Sequence, residues 1–195
     1  MAKATNAAEV ETTSPAAGSK LGFRFLSLTR IAIGFIFLWA FLDKLIGLGF
    51  STCRDKETNV VDVLCEKAWL SGGAITKGYL GSSTGPLDDL FISLGDQRWT
   101  DWFFMLGLLG VGLALILGIG TKIGAWAGTA LLIMMYVSHA WPGTGGNATN
   151  PFLDDHIIYS LAAIGIVYVE LQRQSIGLGN WWRSLGVVQK NPWLI

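Results

Sequence analysis

WFFMLGLLGVGLALILGIGTKIGAWAGTALLIMMYVSHAW, Trp102 to Trp141, contains one lysine and no acid. Two apolar runs, Trp102–Ile119 and Ile123–Trp141, are parted only by Gly120-Thr121-Lys122. A helix needs about 20 residues to cross a hydrocarbon layer about 30 Å thick, and both runs come close. Neither alternates polar with apolar as a spanning strand would. So short a loop predicts a tight antiparallel hairpin. Gly110, Ala114 and Gly118 on one run, and Gly124 and Gly128 on the other, are small residues at helical spacing. Such residues let backbones approach closely in lipid, where packing holds helices together.

Two more runs of this kind flank the hairpin, Leu26–Leu48 and Pro151–Leu171. The fold class expected is an all-α membrane protein, a four-transmembrane-helix bundle. Composition agrees: 51% of the 195 residues are hydrophobic and only 14% charged, against roughly a quarter charged in soluble domains. Net charge is zero, which removes the electrostatic reason to propose nucleic acid as a partner. Residues 1–21 are polar and small and read as a disordered cytoplasmic tail. Residues 22–178 read as the membrane domain, and 179–195 as a cytoplasmic interfacial tail in which Trp181 and Trp182 stand beside Arg183.

Charge sets the expected orientation. With both termini inside, the inner segments hold Lys3, Lys20, Arg24, Arg30, Lys122, Arg173, Arg183 and Lys190 against Glu9, Glu11 and Glu170. The inside is then net positive and the outside net negative, as the positive-inside rule asks, and the location expected is the cell membrane.

The outer loop, 51–100, is too long for a plain connector. Within it Leu87, Leu90, Phe91 and Leu94 share a helical face after Pro86, with Asp88 and Asp89 in the first turn, the pattern of a short amphipathic helix. Cys53 and Cys65 lie in the same loop. Outside a membrane such thiols tend to be oxidised, so a structural disulfide is the natural reading.

Ionisable residues are costly in spans and default to function. Asn150-Pro151 reads as a helix start, and Asp154 and Asp155 then sit at the positive end of the helix dipole. That accounts for the aspartates but not for His156. Phe152, Asp155, His156 and Tyr159 share one face. Antiparallel connectivity brings Asp43 and Lys44 (span one), His139 with Trp141 (span three), and Asp154, Asp155 and His156 to one membrane level. Arg30 opens a face continuing through Gly34, Phe37, Phe41 and Lys44, and either belongs to a site or snorkels to the inner headgroups.

A layer of His, Asp, Lys and Tyr ringed by aromatics suits a membrane quinone. Quinone reduction takes up two electrons and two protons. Histidine delivers protons near neutral pH, and a neighbouring carboxylate orients it. Lys44, Lys77 or Arg98 would balance an anionic cosubstrate. No haem, flavin or metal site is expected.

RIAIGFIFLWAFLDKL (Arg30–Leu45), the AWLSGG and TKGYLG stretches of the loop, LLGVGLALILGIGTKIGAWAGTALLIMMY (Leu108–Tyr136) and NPFLDDHIIYSL (Asn150–Leu161) resemble the DoxX/DoxD family of membrane proteins. The long first loop resembles the DoxD branch. The likeness covers about Leu26 to Leu178. It implies a four-helix membrane bundle and, for the DoxD branch, the large subunit of a thiosulfate:quinone oxidoreductase working with a small subunit called DoxA. No DoxA-like domain is fused to this chain, so such a partner is separate or absent. By the resemblance Asp43, Lys44, Asp155 and His156 are the catalytic candidates; His139, Trp141, Tyr159 and Arg30 are added as quinone-binding candidates. The function expected is electron transfer from thiosulfate or a similar sulfur donor to quinone at the outer face. The alternative is a non-catalytic membrane scaffold subunit, with a small transporter third.

Overall fold

A computed structural model describes residues 17–142, 150 and 152–195. In chain order the helices are α1 (Ala17–Ile46), α2 (Ile75–Leu80), α3 (Asp88–Gly95), α4 (Arg98–Leu117), α5 (Thr121–Met135), α6 (Asp155–Glu170), α7 (Gly179–Ser184) and α8 (Gly186–Lys190). A π-helical turn, Tyr136–Ala140, continues α5. Residues 1–16 of the expected tail lie outside the described residues. From Ala17 the chain is already helical, inside the stretch read as tail.

Three helical segments are long and apolar enough to cross a membrane: Lys20–Ile46, Arg98–Leu117 and Thr121–Ala140. The fourth run forms α6, which has 16 residues and so rises about 24 Å. It starts later than expected because Asn150 does not cap it. Asn150 Oδ1 accepts the Phe152 and Leu153 N–H groups and so opens the turn that leads into α6, while Asp154 is the N-cap, accepting from Ile157 N at 3.3 Å. Pro151, expected in the first turn, lies outside the described residues.

α1 packs on α4, α4 on α5, α5 on α6, and α6 back on α1. The core is the expected α1 face, with Ile33, Phe37 and Phe41 against Met105, Leu108, Val111 and Leu115 of α4, Leu131 and Leu132 of α5, and Ile166 and Val167 of α6. Phe35, Trp39, Phe103, Leu106, Trp126 and Leu161 point outward from the same helices. An apolar girdle of that kind is costly in water and matched by lipid.

The α4–α5 connection is Gly118–Gly120, with Thr121 and Lys122 already in the first turn of α5. Gly118 and Gly120 adopt φ of 76° and 56°, the left-handed region that favours glycine at a helix end. The small-residue ridge is half as expected. A Cβ at Gly124 would stand 2.9 Å from Ala114, and one at Gly128 would stand 2.9 Å from Val111. Gly110 faces open space. The closest backbone approach joins α1 to α4 instead, through Gly34 against Ile116 and Gly112 against Leu38.

The long loop is seated on the bundle end at three polar points. Asp43, fully buried, accepts Phe50 N at 2.8 Å, Ser51 N at 3.1 Å and Ser51 Oγ at 2.8 Å. Asp101, in the first turn of α4, accepts both Thr76 N and Thr76 Oγ1 at 2.7 Å and so docks α2. The third point is the Ser138 carbonyl, which accepts Thr84 N and Gly85 N at 3.0 Å and Ser83 Oγ at 2.9 Å. The disulfide Cys53–Cys65 is formed, with Cα atoms 5.7 Å apart. α3 matches the amphipathic reading at Phe91, which is buried, whereas Leu87 and Leu90 are about half exposed.

Candidate functional site

Titratable residues gather at both ends of the bundle, and the two ends differ in kind. At the end carrying the termini, Arg30 is 1% exposed and Glu170 4%. Snorkelling is thereby overturned for Arg30. Its Nε donates to Glu170 Oε2 at 2.6 Å, and Ser27 Oγ donates to Glu170 Oε1. The guanidinium also donates to the carbonyls of Leu115 and Ile176. A helix leaves its last four carbonyls without intrahelical partners. Here α4's final turn is closed by Arg30 on Leu115 O, Leu178 N on Leu117 O at 2.7 Å, and Gln174 Nε2 on Gly118 O at 3.2 Å. Arg30 is a buried C-terminal cap for α4. Thirteen residues of helix, about 20 Å, part it from Asp43, so it stands well away from the other site candidates.

At the loop end the expected single ring divides. Asp43 and Lys44 belong to the first loop turn: Asp43 is taken up by Phe50 and Ser51, and Lys44 Nζ lies 3.3 Å from Ser51 Oγ. Among the described residues no hydrogen bond or ion pair links either of them to His139, Asp154 or His156. Lys77 and Arg98 are held by their own acids, Asp96 at 3.0 Å and Asp101 at 3.4 Å.

The remaining residues form two polar clusters, one around each histidine. His156 Nδ1 lies 2.6 Å from Asp154 Oδ2. Asp154 is 7% exposed and His156 20%. Asp155 is 68% exposed and 3.5 Å away. The carboxylate that orients the imidazole is therefore Asp154, one residue before the catalytic candidate. With Nδ1 engaged, proton exchange at His156 passes through Nε2.

His139 sits in the π turn. Its Nδ1 is 2.9 Å from Ser138 Oγ, and Ser82 Oγ is 3.4 Å from Nε2. The Ser138 hydroxyl also lies 2.9 Å from Met135 O. Which of Ser138 and His139 donates to the other depends on the imidazole tautomer, and the backbone carbonyls of Ser82 and Tyr79 also face the ring. The ring of Tyr79, from α2, lies against that imidazole with centroids 4.2 Å apart, and the Tyr79 hydroxyl bonds Ser138. Burial pushes the Tyr79 phenol up, and the charge of Asp154 acts in the same direction against the Ser138 bond. The Tyr79 phenol thus stays protonated at neutral pH.

Tyr79 and Ser138 were missed in the sequence. KGYLG lies far along the chain from both histidines, and only docking of the loop brings it there. The one available signal was the π turn's density of polar residues (Ser138, His139) at the end of an apolar helix; single π turns recur at functional sites. Trp141 stacks edge-on to Tyr136 at 6.1 Å, and Tyr136 donates to Phe152 O at 2.9 Å. Tyr159 packs against the core below His156.

Gly85 makes this docking possible. A Cβ there would fall 1.7 Å from the Val137 carbonyl oxygen. Gly85→Ala should therefore lift the loop from the π turn at a cost of about 1–3 kcal/mol, the range for overpacking. Hydrogen exchange should then quicken at the Thr84 amide and at the amide of the substituted position, with the spans unchanged; unaltered exchange would mean the contact is dispensable.

Asp154, Asp155 and His156 offer ligand atoms within 4.8 Å of one another. Asp154 already accepts from Ile157 N–H and faces His156, so this set is satisfied as a helix cap and proton pair without an ion. No protein-family model, curated protein or solved structure matches the chain. The DoxX/DoxD likeness accordingly rests on the quoted motifs, and the site on its geometry.

Proposed function

We propose that the chain crosses the membrane four times and, as the membrane subunit of a sulfur-compound:quinone oxidoreductase, reduces quinone at the loop end. The Asp154–His156 pair at 2.6 Å carries this reading. A carboxylate at Nδ1 fixes the imidazole so that Nε2 can hand a proton to a quinone oxygen. Tyr79 supplies a second donor, and the Tyr79–His139 stack an aromatic wall. The redox balance is that two thiosulfates lose two electrons to give tetrathionate, while quinone gains those electrons and two protons to give quinol. A separate DoxA-like subunit is the partner this scheme leaves room for. Membranes containing the chain should then reduce a soluble quinone analogue when given thiosulfate; equal rates with and without the protein, partner supplied, would remove the oxidoreductase reading.

Four crossings place residues 20 and 190 on one side and residue 77 on the other. On this reading α6, with 16 residues, is the short fourth span. Single-cysteine labelling at Lys20, Lys77 and Lys190 in sealed membranes should modify Lys20→Cys and Lys190→Cys from the face opposite to Lys77→Cys. Labelling of all three from one side would refute four spans.

One observation favours the scaffold alternative. Leu87, the N-cap of α3, and Leu90 and Ile92 within it are exposed, an apolar edge suited to a partner subunit. A partner that binds there without any turnover would identify that role.

A further inference from the structure

The terminal end carries a cleft of about 390 Å³ lined by Lys20 and Arg24 of α1, Gln172, Arg173 and Ser175 after α6, and Asn180 of α7. Lys20 and Arg24 are four apart and share a face. Three cations converge there and no acid lines the cleft. The nearest acid in the sequence, Glu170, is committed to Arg30 and Ser27. Among the described residues no ion pair includes Lys20, Arg24 or Arg173. Asn180 Oδ1 accepts from Arg183, which leaves its amide N–H groups as donors. None of these residues takes part in the quinone reading, which lies at the other end of the bundle.

We propose that this cleft binds the phosphate of an anionic membrane phospholipid. A phosphodiester would accept from the two guanidinium groups and the ammonium. The surroundings favour a lipid over a free anion. Leu21, Phe25 and Leu28 run up α1 beside the cations, 55%, 61% and 49% exposed, a shelf for acyl chains that soluble phosphate would leave uncovered. Trp181, next to Asn180, is exposed as well, and indoles favour the boundary between headgroup and hydrocarbon. The cleft also discriminates among lipids. A choline headgroup would bring its own cation into a triply positive site, whereas a glycerol headgroup adds no charge. Basic pockets between helix ends recognise anionic headgroups on this principle.

The purified full chain, equilibrated with equal amounts of phosphatidylglycerol and phosphatidylcholine of matched chains, should retain the anionic lipid in native mass spectrometry. Each basic residue near an anionic headgroup is worth about fivefold, so Arg24→Gln with Arg173→Gln should cut the preference by about tenfold or more. Lys122→Gln with Lys190→Gln removes the same charge from the same end outside the cleft and should leave the preference standing. Equal retention of both lipids by the unaltered chain would overturn the proposal, and so would an equal loss in both double variants, which would mean diffuse attraction. Displacement of the lipid by millimolar inorganic phosphate would assign the cleft to a free anion and overturn the lipid assignment.

Discussion

Glu170→Ala should destabilise the protein by about 3–5 kcal/mol, the loss expected when one partner of a buried ion pair is removed. Arg30 would remain 1% exposed, deprived of its 2.6 Å partner and left with neutral acceptors only. Ser27 would lose its acceptor as well, and Ser27 Oγ in turn holds Ile176 N at 3.2 Å. The damage should spread along one route. Arg30 caps the last turn of α4 through Leu115 O, so freeing the guanidinium unfastens α4, the α6–α7 connection and α1 together. Replacing both charges, Arg30→Met with Glu170→Leu, should cost less than Glu170→Ala alone, because no unpaired charge is left behind. Denaturation in detergent, followed by circular dichroism, measures both variants against the unaltered protein. A Glu170→Ala midpoint within error of the unaltered protein would show that Arg30 reaches the headgroups instead.

The second large effect tests the proposed function. His156→Ala should lower thiosulfate-dependent quinone reduction by about 10²–10⁴-fold, the usual worth of a positioned general acid. Asp154→Asn isolates the carboxylate's part. Asparagine is as good an N-cap as aspartate, so Ile157 N–H keeps its acceptor and α6 keeps its stability. What is lost is the charge that holds Nδ1, and kcat should fall while KM for quinone stays close to its original value. Asp155→Asn gives the contrast: at 68% exposed its charge is screened by solvent, and activity should change less than about twofold. Equal losses from Asp154→Asn and Asp155→Asn would deny Asp154 any special role and leave the pair as helix-cap chemistry.

Much of the architecture was legible in the chain because apolar helices obey a local rule. In a bilayer each span must satisfy its own backbone, so length and hydropathy nearly suffice to find it. Trp102–Ile119 and Ile123–Trp141 became α4 and α5 with small boundary errors, and the disulfide followed from two cysteines in one loop. The errors fall where side chains far apart in sequence compete. Asn150 is a good cap by type, yet Asp154 caps α6 because Asn150 serves the turn before it. Gly110 has the right spacing for a contact, but α4 is rotated to present Gly112 to α1.

The site was readable only as a depth. Antiparallel connectivity placed Asp43, Lys44, His139, Asp154, Asp155 and His156 at one level, and that arithmetic concerns height, not azimuth. Which of them face one another depends on helix rotation and on where a fifty-residue loop comes to rest. The chain alone determined the apolar helices, the disulfide and the end of the bundle where histidines collect, since each follows from composition, spacing or the alternation of helix direction. Tertiary structure decided the rest. It turned Arg30 inward to cap α4, withdrew Asp43 into the loop, chose Asp154 over Asp155 for His156, and carried Tyr79 to His139. Those outcomes are set by which buried polar atoms find partners once distant segments pack, and no local pattern encodes that choice.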